Sequence, residues 1–227
     1  MITFASIIDS QKPSTKLRFH FAVVLSFSIE DMIKIYSLRE KIRDDVEFNF
    51  YNAKRVEKDL NGLNKKGACA VAKILLPELL PDDIEKLTVF DTGDLLVLRD
   101  LAEMYNWKMN YNYLYYGVPD ASVGTYGKIS RKKLNIYINV GSFLINVKKV
   151  KSEHMYQKFV KYKNAYNSII GYQNLLNDLA FGKIGYLPLK FGIISPFKND
   201  KDSDKPPFET DFKKYLRIIY KKQSIYS

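Results

Sequence analysis

The segment Leu87-Thr-Val-Phe-Asp-Thr-Gly-Asp94 places two carboxylates directly after a short apolar strand. Residues 87–90 have the fully apolar character of a strand that is buried in a parallel sheet. In an open α/β sheet, ligands bind beyond the carboxyl ends of the strands. Asp91 lies at such an end and Asp94 follows one turn later, so the segment predicts a ligand site at the edge of a sheet.

The two carboxylates allow two interpretations. Carboxylates that end a buried strand are costly unless a cation pairs with them, and Mg²⁺ and Mn²⁺ prefer oxygen ligands. A metal ion held there can bridge a diphosphate. Asp91 and Asp94 are three residues apart, which in a straight strand points them to opposite faces, but Gly93 permits a bulge or a tight turn. The other interpretation, which the spacing alone favours, is a turn that caps a helix starting near Asp100.

Strands and helices alternate on both sides of this segment, which indicates an α/β layer fold. The apolar patterns predict strands at residues 17–23, 46–51, 87–90, 111–118, 136–147 and 184–187. They predict helices at 2–9, from Ser28 onward, and at 66–76, 149–167 and 172–181. Ser28 with Asp31 three residues later is a variant of the capping box.

The composition limits the class of protein. With 227 residues, of which 46% are hydrophobic, the chain can bury the core of one large α/β domain. Cys69 is the only cysteine, so no intramolecular disulfide is possible, and its alanine neighbours predict a small core residue. Two histidines, His20 and His154, are too few for a histidine-rich metal site. No stretch approaches the roughly 20 apolar residues of a membrane span, and the N-terminus does not read as a signal peptide.

The net charge of +11 favours anionic partners such as nucleic acid, a membrane surface or a phosphorylated small molecule. We interpret most of the lysines as a solvated surface. Together with this charge, the 17 tyrosines could bind single-stranded nucleic acid. Because the tyrosines fall within strand and helix patterns and no recognition motif occurs, we expect them to be packed and expect no nucleic-acid partner.

Four separate blocks, in order and spacing, resemble glycosyltransferase family 8, the glycogenin and bacterial galactosyltransferase type, over roughly residues 17 to 197. The blocks are Leu75-Leu-Pro-Glu-Leu-Leu-Pro81, then 87–94 with Leu98-Arg-Asp-Leu101, then Tyr137-Ile-Asn-Val-Gly-Ser-Phe-Leu-Ile-Asn-Val147, and Gln173-Asn-Leu-Leu-Asn177. The resemblance implies a GT-A-type, Rossmann-like fold with a mixed, mostly parallel sheet flanked by helices. It also implies a nucleotide-sugar donor, usually UDP-linked, a Mn²⁺ (or Mg²⁺) ion and retention of the anomeric configuration.

The resemblance also implies roles for individual residues. Asp91 and Asp94 correspond to the aspartate pair that holds the metal ion, and the donor would lie against Asp91, Thr92 and Gly93. Lys73 corresponds to a residue that contacts the donor phosphate or sugar, and Asn139 and Gly141 correspond to residues of the donor site. Gln173 and Asn139 are the catalytic candidates. From the residues alone, Asn139 is a polar side chain within an apolar strand, and a backbone hydrogen bond inside the fold is the alternative to a sugar hydroxyl.

Three features depart from the family pattern. They support an alternative, namely a catalytically inactive or truncated relative. The family opens with a strand that carries the uridine pocket, whereas this chain begins at what corresponds to the following helix, so we expect an N-terminally incomplete sheet. Tyr172 stands where the family has an aspartate, and a phenol supplies no carboxylate at pH 7. Near Lys205-Pro-Pro207 the family provides a metal-ligating histidine, but no histidine follows His154.

The sequence predicts a transferase-like domain over residues 1–197, followed by a charged loop and a basic C-terminal helix over 198–227. The resemblance implies a nucleotide-sugar donor and a hydroxyl acceptor on a glycan, a protein or a lipid. We expect a soluble, cytoplasmic protein without a transmembrane segment, or a Golgi protein in the case of an N-terminal truncation. The sequence does not predict an oligomeric state.

Overall fold

The computed structural model describes residues 2–24, 28–60, 65–91, 95–120, 137–165 and 171–192. The helices are α1 (Ile2–Ser10), α2 (Ile29–Ile42), α3 (Arg55–Asp59), α4 (Lys65–Leu79), α5 (Ala102–Tyr105), α6 (Val147–Ser152), α7 (Met155–Ala165) and α8 (Tyr172–Leu179), with a 3₁₀ turn at Leu189–Phe191. The strands are β1 (Arg18–Val23), β2 (Glu47–Asn52), β3 (Lys86–Phe90), β4 (Tyr115–Pro119), β5 (Ile138–Asn146) and β6 (Ile184–Tyr186). The predicted helix beyond residue 211 lies outside the described residues.

The strands form two sheets, and the predicted mixed α/β architecture is confirmed. β1 and β2 pair in parallel, and a four-stranded sheet has the order β3-β5-β4-β6. In this larger sheet β5 is antiparallel to both β3 and β4, whereas β4 and β6 are parallel. The prediction that residues 87–90 belong to a parallel ladder is therefore wrong.

Layers on both sides explain why β3 is apolar without a parallel partner. Leu87 and Val89 belong to the main core, to which α4 contributes Val71 and Leu75. Phe90 packs instead against a second cluster on the opposite side of the sheet. An apolar strand therefore indicates that both of its faces are buried. It does not indicate whether the strand runs parallel or antiparallel to its neighbours.

A cleft separates the two sheets. Residues along β1 and along β3 line one cavity of about 2760 Å³. Asp83, just before β3, interacts electrostatically with Arg18 and His20 at the start of β1, so the strands begin near each other. Among the described residues, β1 pairs only with β2 and β3 only with β5, which leaves an unpaired edge of each strand at the cleft.

Two local predictions are corrected. The predicted helix at 149–167 is two helices, α6 and α7, separated by a turn at which His154 adopts a left-handed backbone conformation with φ of 50°. Cys69 is exposed and lines the cleft, because the core-facing positions of α4 are its neighbours Ala68 and Ala72. None of the helices among the described residues has the length and apolar character needed to cross a membrane.

Candidate active site

An ion pair joins α4 to the end of β3. Lys73 Nζ lies 2.5 Å from Asp91 Oδ1 and also donates a hydrogen bond to the carbonyl oxygen of Val140 at 2.9 Å. The lysine side chain is 12% exposed and the aspartate 45%. A mostly buried ammonium group requires such partners, so the pair fixes the end of β3 against β5 and α4.

The backbone of β5 lies close to Asp91 at Gly141. Asp91 N donates to Gly141 O at 2.8 Å. A Cβ atom on Gly141 would lie 2.9 Å from Asn139 Oδ1 and 3.4 Å from Asp91 Oδ2, and the shorter distance is closer than real Cβ contacts allow. Glycine is thus the residue that lets these two side chains approach the same point of β5.

The side chain of Asn139 forms a hydrogen bond with the backbone of β5, as one of the two sequence-based interpretations predicted. Its Oδ1 accepts from Gly141 N at 2.8 Å, and its Nδ2 donates to Asp120 Oδ2 at 3.3 Å. The amide is half-buried at the edge of the site and both of its ends are engaged. The structure therefore places Asn139 beside Asp91 with a fixed orientation.

Gln173 reaches the same edge from the first turn of α8. Its Oε1 accepts from Val140 N at 3.2 Å, and its Nε2 donates to Asp120 Oδ2 at 2.7 Å. The completely buried Asn177 fixes this helix, because its amide bonds to both the N–H and the C=O of Ile138 on β5. Lys73 and Gln173 thus bind the carbonyl oxygen and the N–H of the same residue, Val140.

Asp120 is the functional candidate that the sequence interpretation missed. It is buried, lies directly after β4, and accepts hydrogen bonds from Asn139 and Gln173 at a single carboxylate oxygen. The signal was present, because Asp120 follows an apolar strand just as Asp91 does. The rule that ligand sites lie beyond strand ends points to both.

The predicted site residues Thr92, Gly93 and Asp94 lie outside the described residues. Of the predicted metal pair, the structure therefore places Asp91, whose Oδ1 faces Lys73 and whose Oδ2 faces Gly141. In the described ranges, no group of three or more histidine, cysteine, aspartate or glutamate residues could hold a metal ion. The half-exposed carboxylate of Asp91 at the cleft has the oxygen chemistry that suits Mn²⁺ or Mg²⁺.

The side chain of Tyr172 packs against α4 and α7, although the residue directly precedes Gln173. Its ring stacks with that of Phe159, Lys163 lies 5.0 Å from the ring centroid, and its hydroxyl fills the space beside Gly67. Burial raises the pKa of the Tyr172 phenol, so it remains neutral at pH 7. As the sequence predicted, position 172 brings no negative charge to the site.

The cleft gives access to one side of the site. Lys73, Asp91 and Cys69 line it together with Lys86, which donates to the carbonyl oxygens of Tyr105 and Trp107. Burial lowers the pKa of Lys86. The cavity is larger than the roughly 300–1,000 Å³ that is usual for a small-molecule site. An anionic ligand entering it would meet Lys73 and Lys86 among several lysines, together with carboxylates that include Asp91.

The comparisons agree on one class of protein. The model of glycosyl transferase family 8 matches residues 1–219. A search of curated proteins gives no match. Among solved structures, the galactosyltransferase LgtC in complex with donor and acceptor sugar analogues aligns over 82% of this chain and 70% of its own, with 21% identity and a TM-score of 0.67.

Two further structures show the same fold. The bifunctional glycosyltransferase WbbM aligns over 96% of this chain and 41% of its own, with 19% identity and a TM-score of 0.75. Mouse xyloside xylosyltransferase 1 aligns over 83% of this chain and 78% of its own, with 10% identity and a TM-score of 0.59. These likenesses confirm the GT-A-type fold.

Proposed function

The chain belongs to glycosyltransferase family 8, and we propose that it transfers a hexosyl or pentosyl group from a UDP-linked donor to a hydroxyl acceptor, with Mn²⁺ and with retention of configuration. The observation that carries the proposal is that two groups of contacts meet at residues 139–141 of β5. Lys73 pairs with Asp91 and donates to Val140 O, while Asp120 accepts from Asn139 and from Gln173, which in turn accepts from Val140 N. A cation, two carboxylates and two amides provide the charge and the hydrogen-bonding groups that a nucleotide sugar requires.

Each residue has a role that follows from its chemistry. The ammonium group of Lys73 offers charge to a diphosphate, and Asp91 offers oxygen ligands to the metal ion, together with Asp94 as the sequence predicts. When bound, Mn²⁺ would stabilise the negative charge on the departing diphosphate. Asn139 and Gln173 have no ionisable group, so they act by hydrogen bonding to sugar hydroxyls, and Asp120 orients both amides.

A direct assay tests this proposal. The protein is incubated with common UDP-sugars and Mn²⁺, and the released UDP is measured. We expect release from at least one donor, its loss on addition of EDTA, and at least a tenfold slower rate in Asp91→Asn. Asp44→Asn is the matched control, because Asp44 is exposed on a turn remote in sequence from the site. The absence of release from every donor tested would contradict the proposal.

Tyr172 favours a second candidate, a relative that binds the nucleotide sugar without transferring it. The phenol of Tyr172 packs between two helices, so position 172 supplies no negative charge to the site. Calorimetry with UDP and Mn²⁺ and the release assay separate the two candidates. Metal-dependent UDP binding without release indicates the binding protein, and release indicates the transferase.

A further inference from the structure

Lys73 already supplies a cation to one carboxylate oxygen of Asp91. The ammonium nitrogen lies 2.5 Å from Oδ1, and the lysine side chain is far more buried than its partner. An ammonium group and a divalent cation on one carboxylate repel each other. Metal binding to Asp91 thus competes with the ion pair that the structure contains.

Separating Lys73 from this carboxylate has a free-energy cost that a second anion beside the lysine would reduce. Its side chain is only 12% exposed, and a buried charge without a counterion is costly. Position 172, which precedes Gln173 at this site, holds a neutral tyrosine that faces Gly67. The cleft beside Lys73 and Asp91 is, by contrast, open to an incoming ligand.

We propose that Lys73 is an internal counterion that competes with a metal ion for Asp91 and transfers to the donor diphosphate when the metal ion binds. The metal ion and the nucleoside diphosphate then bind with positive cooperativity, since each relieves the cost that the other creates. The proposal rests on the proposed function in one respect, namely that Asp91 is a metal ligand. It does not require that sugar transfer takes place.

The critical experiment is a Mn²⁺ titration without nucleotide, in which electron paramagnetic resonance measures the free ion. We expect Lys73→Gln to bind Mn²⁺ about tenfold more tightly than the unchanged protein, because Asp91 is then released. Adding Asp91→Asn to Lys73→Gln should abolish the gain. Lys73→Met serves the same comparison should Lys73→Gln fail to fold.

A matched variant separates this competition from a general loss of positive charge. Lys86→Gln also removes a lysine that lines the cleft, but Lys86 donates to backbone carbonyls and not to Asp91. We expect its Mn²⁺ affinity to remain within about twofold of the unchanged protein. An equal gain in Lys86→Gln, no gain in Lys73→Gln, or no Mn²⁺ binding by any variant would overturn the proposal.

The outcome is distinguishable from a failure of the proposed function. A protein that releases no UDP but gains Mn²⁺ affinity on Lys73→Gln lacks the transferase activity and retains the counterion mechanism. A protein that releases UDP in a metal-dependent manner, and whose Mn²⁺ affinity is the same with and without Lys73, has the activity and lacks the mechanism.

Discussion

Gln173 shows how neighbours orient a neutral side chain. Val140 N donates to one end of its carboxamide, and Asp120 accepts from the other. Because one partner can only donate and the other, when ionised, can only accept, a single amide orientation satisfies both. Asp120 and Val140 thereby fix the orientation of the Gln173 carboxamide.

We expect Asp120→Asn to lower kcat/KM for sugar transfer by about 10- to 100-fold. The substitution removes the negative charge that strengthens the hydrogen bonds from Gln173 and Asn139. Initial rates at varied donor concentration measure the effect. Asp82→Asn changes an exposed carboxylate paired with Lys151 and should leave the rate unchanged. Similar losses in both variants would show that orientation by Asp120 is unimportant.

Gly141→Ala tests the close approach of β5 to the site. The new Cβ would meet Asn139 Oδ1 at 2.9 Å, so the amide must move, and we expect a loss of about 1–3 kcal/mol in the free energy of unfolding together with weaker donor binding. Urea denaturation and UDP calorimetry measure the two effects. Gly171→Ala is the control, because its Cβ would have no atom within 4 Å. Unchanged UDP binding in Gly141→Ala would argue against a role for this approach.

At the scale of the elements, local signals located helices and strands better than they predicted how those elements pair. Ser28 accepts a hydrogen bond from Asp31 N at the start of α2, as the capping pattern predicted. The antiparallel pairing of β3 with β5 depends on contacts between residues more than 50 positions apart, which a local apolar run does not encode. The selection of Asn139 and Gln173 as candidates likewise required the resemblance, since only the assembled sheet brings both to Asp120.

The break between α6 and α7 also depends on tertiary contacts. The lysine-rich pattern continues through residues 149–167, but Glu153 lies at the turn and contacts three lysines. Those lysines are Lys149 on α6, Lys158 on α7 and Lys183 in the loop before β6. The turn thus places one carboxylate within reach of three lysine side chains.

Glu153 predicts a pH dependence of stability. Partial burial acts to raise the pKa of Glu153, but hydrogen bonds from Lys183 and Lys149 outweigh it and lower the pKa to about 2. The ionised form therefore stabilises the fold fully above the ordinary pKa of about 4.5, and this stabilisation, on the order of 2–3 kcal/mol, is lost as the pH falls toward 2.

Urea denaturation between pH 6 and pH 2.5 measures this contribution. We expect Glu153→Gln to be less stable than the unchanged protein at pH 6, with the difference shrinking as the pH falls. Glu103→Gln, which alters an exposed ion pair with Lys190, should cost less than about 1 kcal/mol at either pH. A constant difference between Glu153→Gln and the unchanged protein would contradict the assignment.

At the scale of the whole molecule, hydrogen bonds between residues 3–11 and residues 95–101 help to hold the smaller sheet to the rest. Thr3 donates to Leu95 O, Ser6 accepts from Val97 N, and Gln11 accepts from Leu101 N. Asp100 adds contacts to the loop before β1, since it accepts from Lys12 N and from Thr15 Oγ1. These hydrogen bonds add to apolar contacts, because Ala22 and Tyr51 of the smaller sheet, with the adjacent Val24 and Ala53, also pack in the main core.

We expect Asp100→Ala to loosen the smaller sheet as a unit. Amide hydrogen exchange in β1 and β2 should become about tenfold faster or more, with little change in β5, because the lost hydrogen bonds join the two parts. Exchange measured by mass spectrometry on peptides from each part tests this. Asp9→Asn serves as the control, because Asp9 is exposed on α1. Equal acceleration in β1 and β5 would mean that the molecule opens as a single unit.

The cleft between β1 and β3 also affects the behaviour of the protein in concentrated solution. Each strand presents an edge that no described strand covers, and such edges are templates for cross-β association between molecules. The net charge of +11 opposes this association by mutual repulsion, and Arg18 and Lys86 place part of that charge at the edges themselves. Added salt screens the repulsion while leaving the edges unchanged, so it favours aggregation of this protein over solubility.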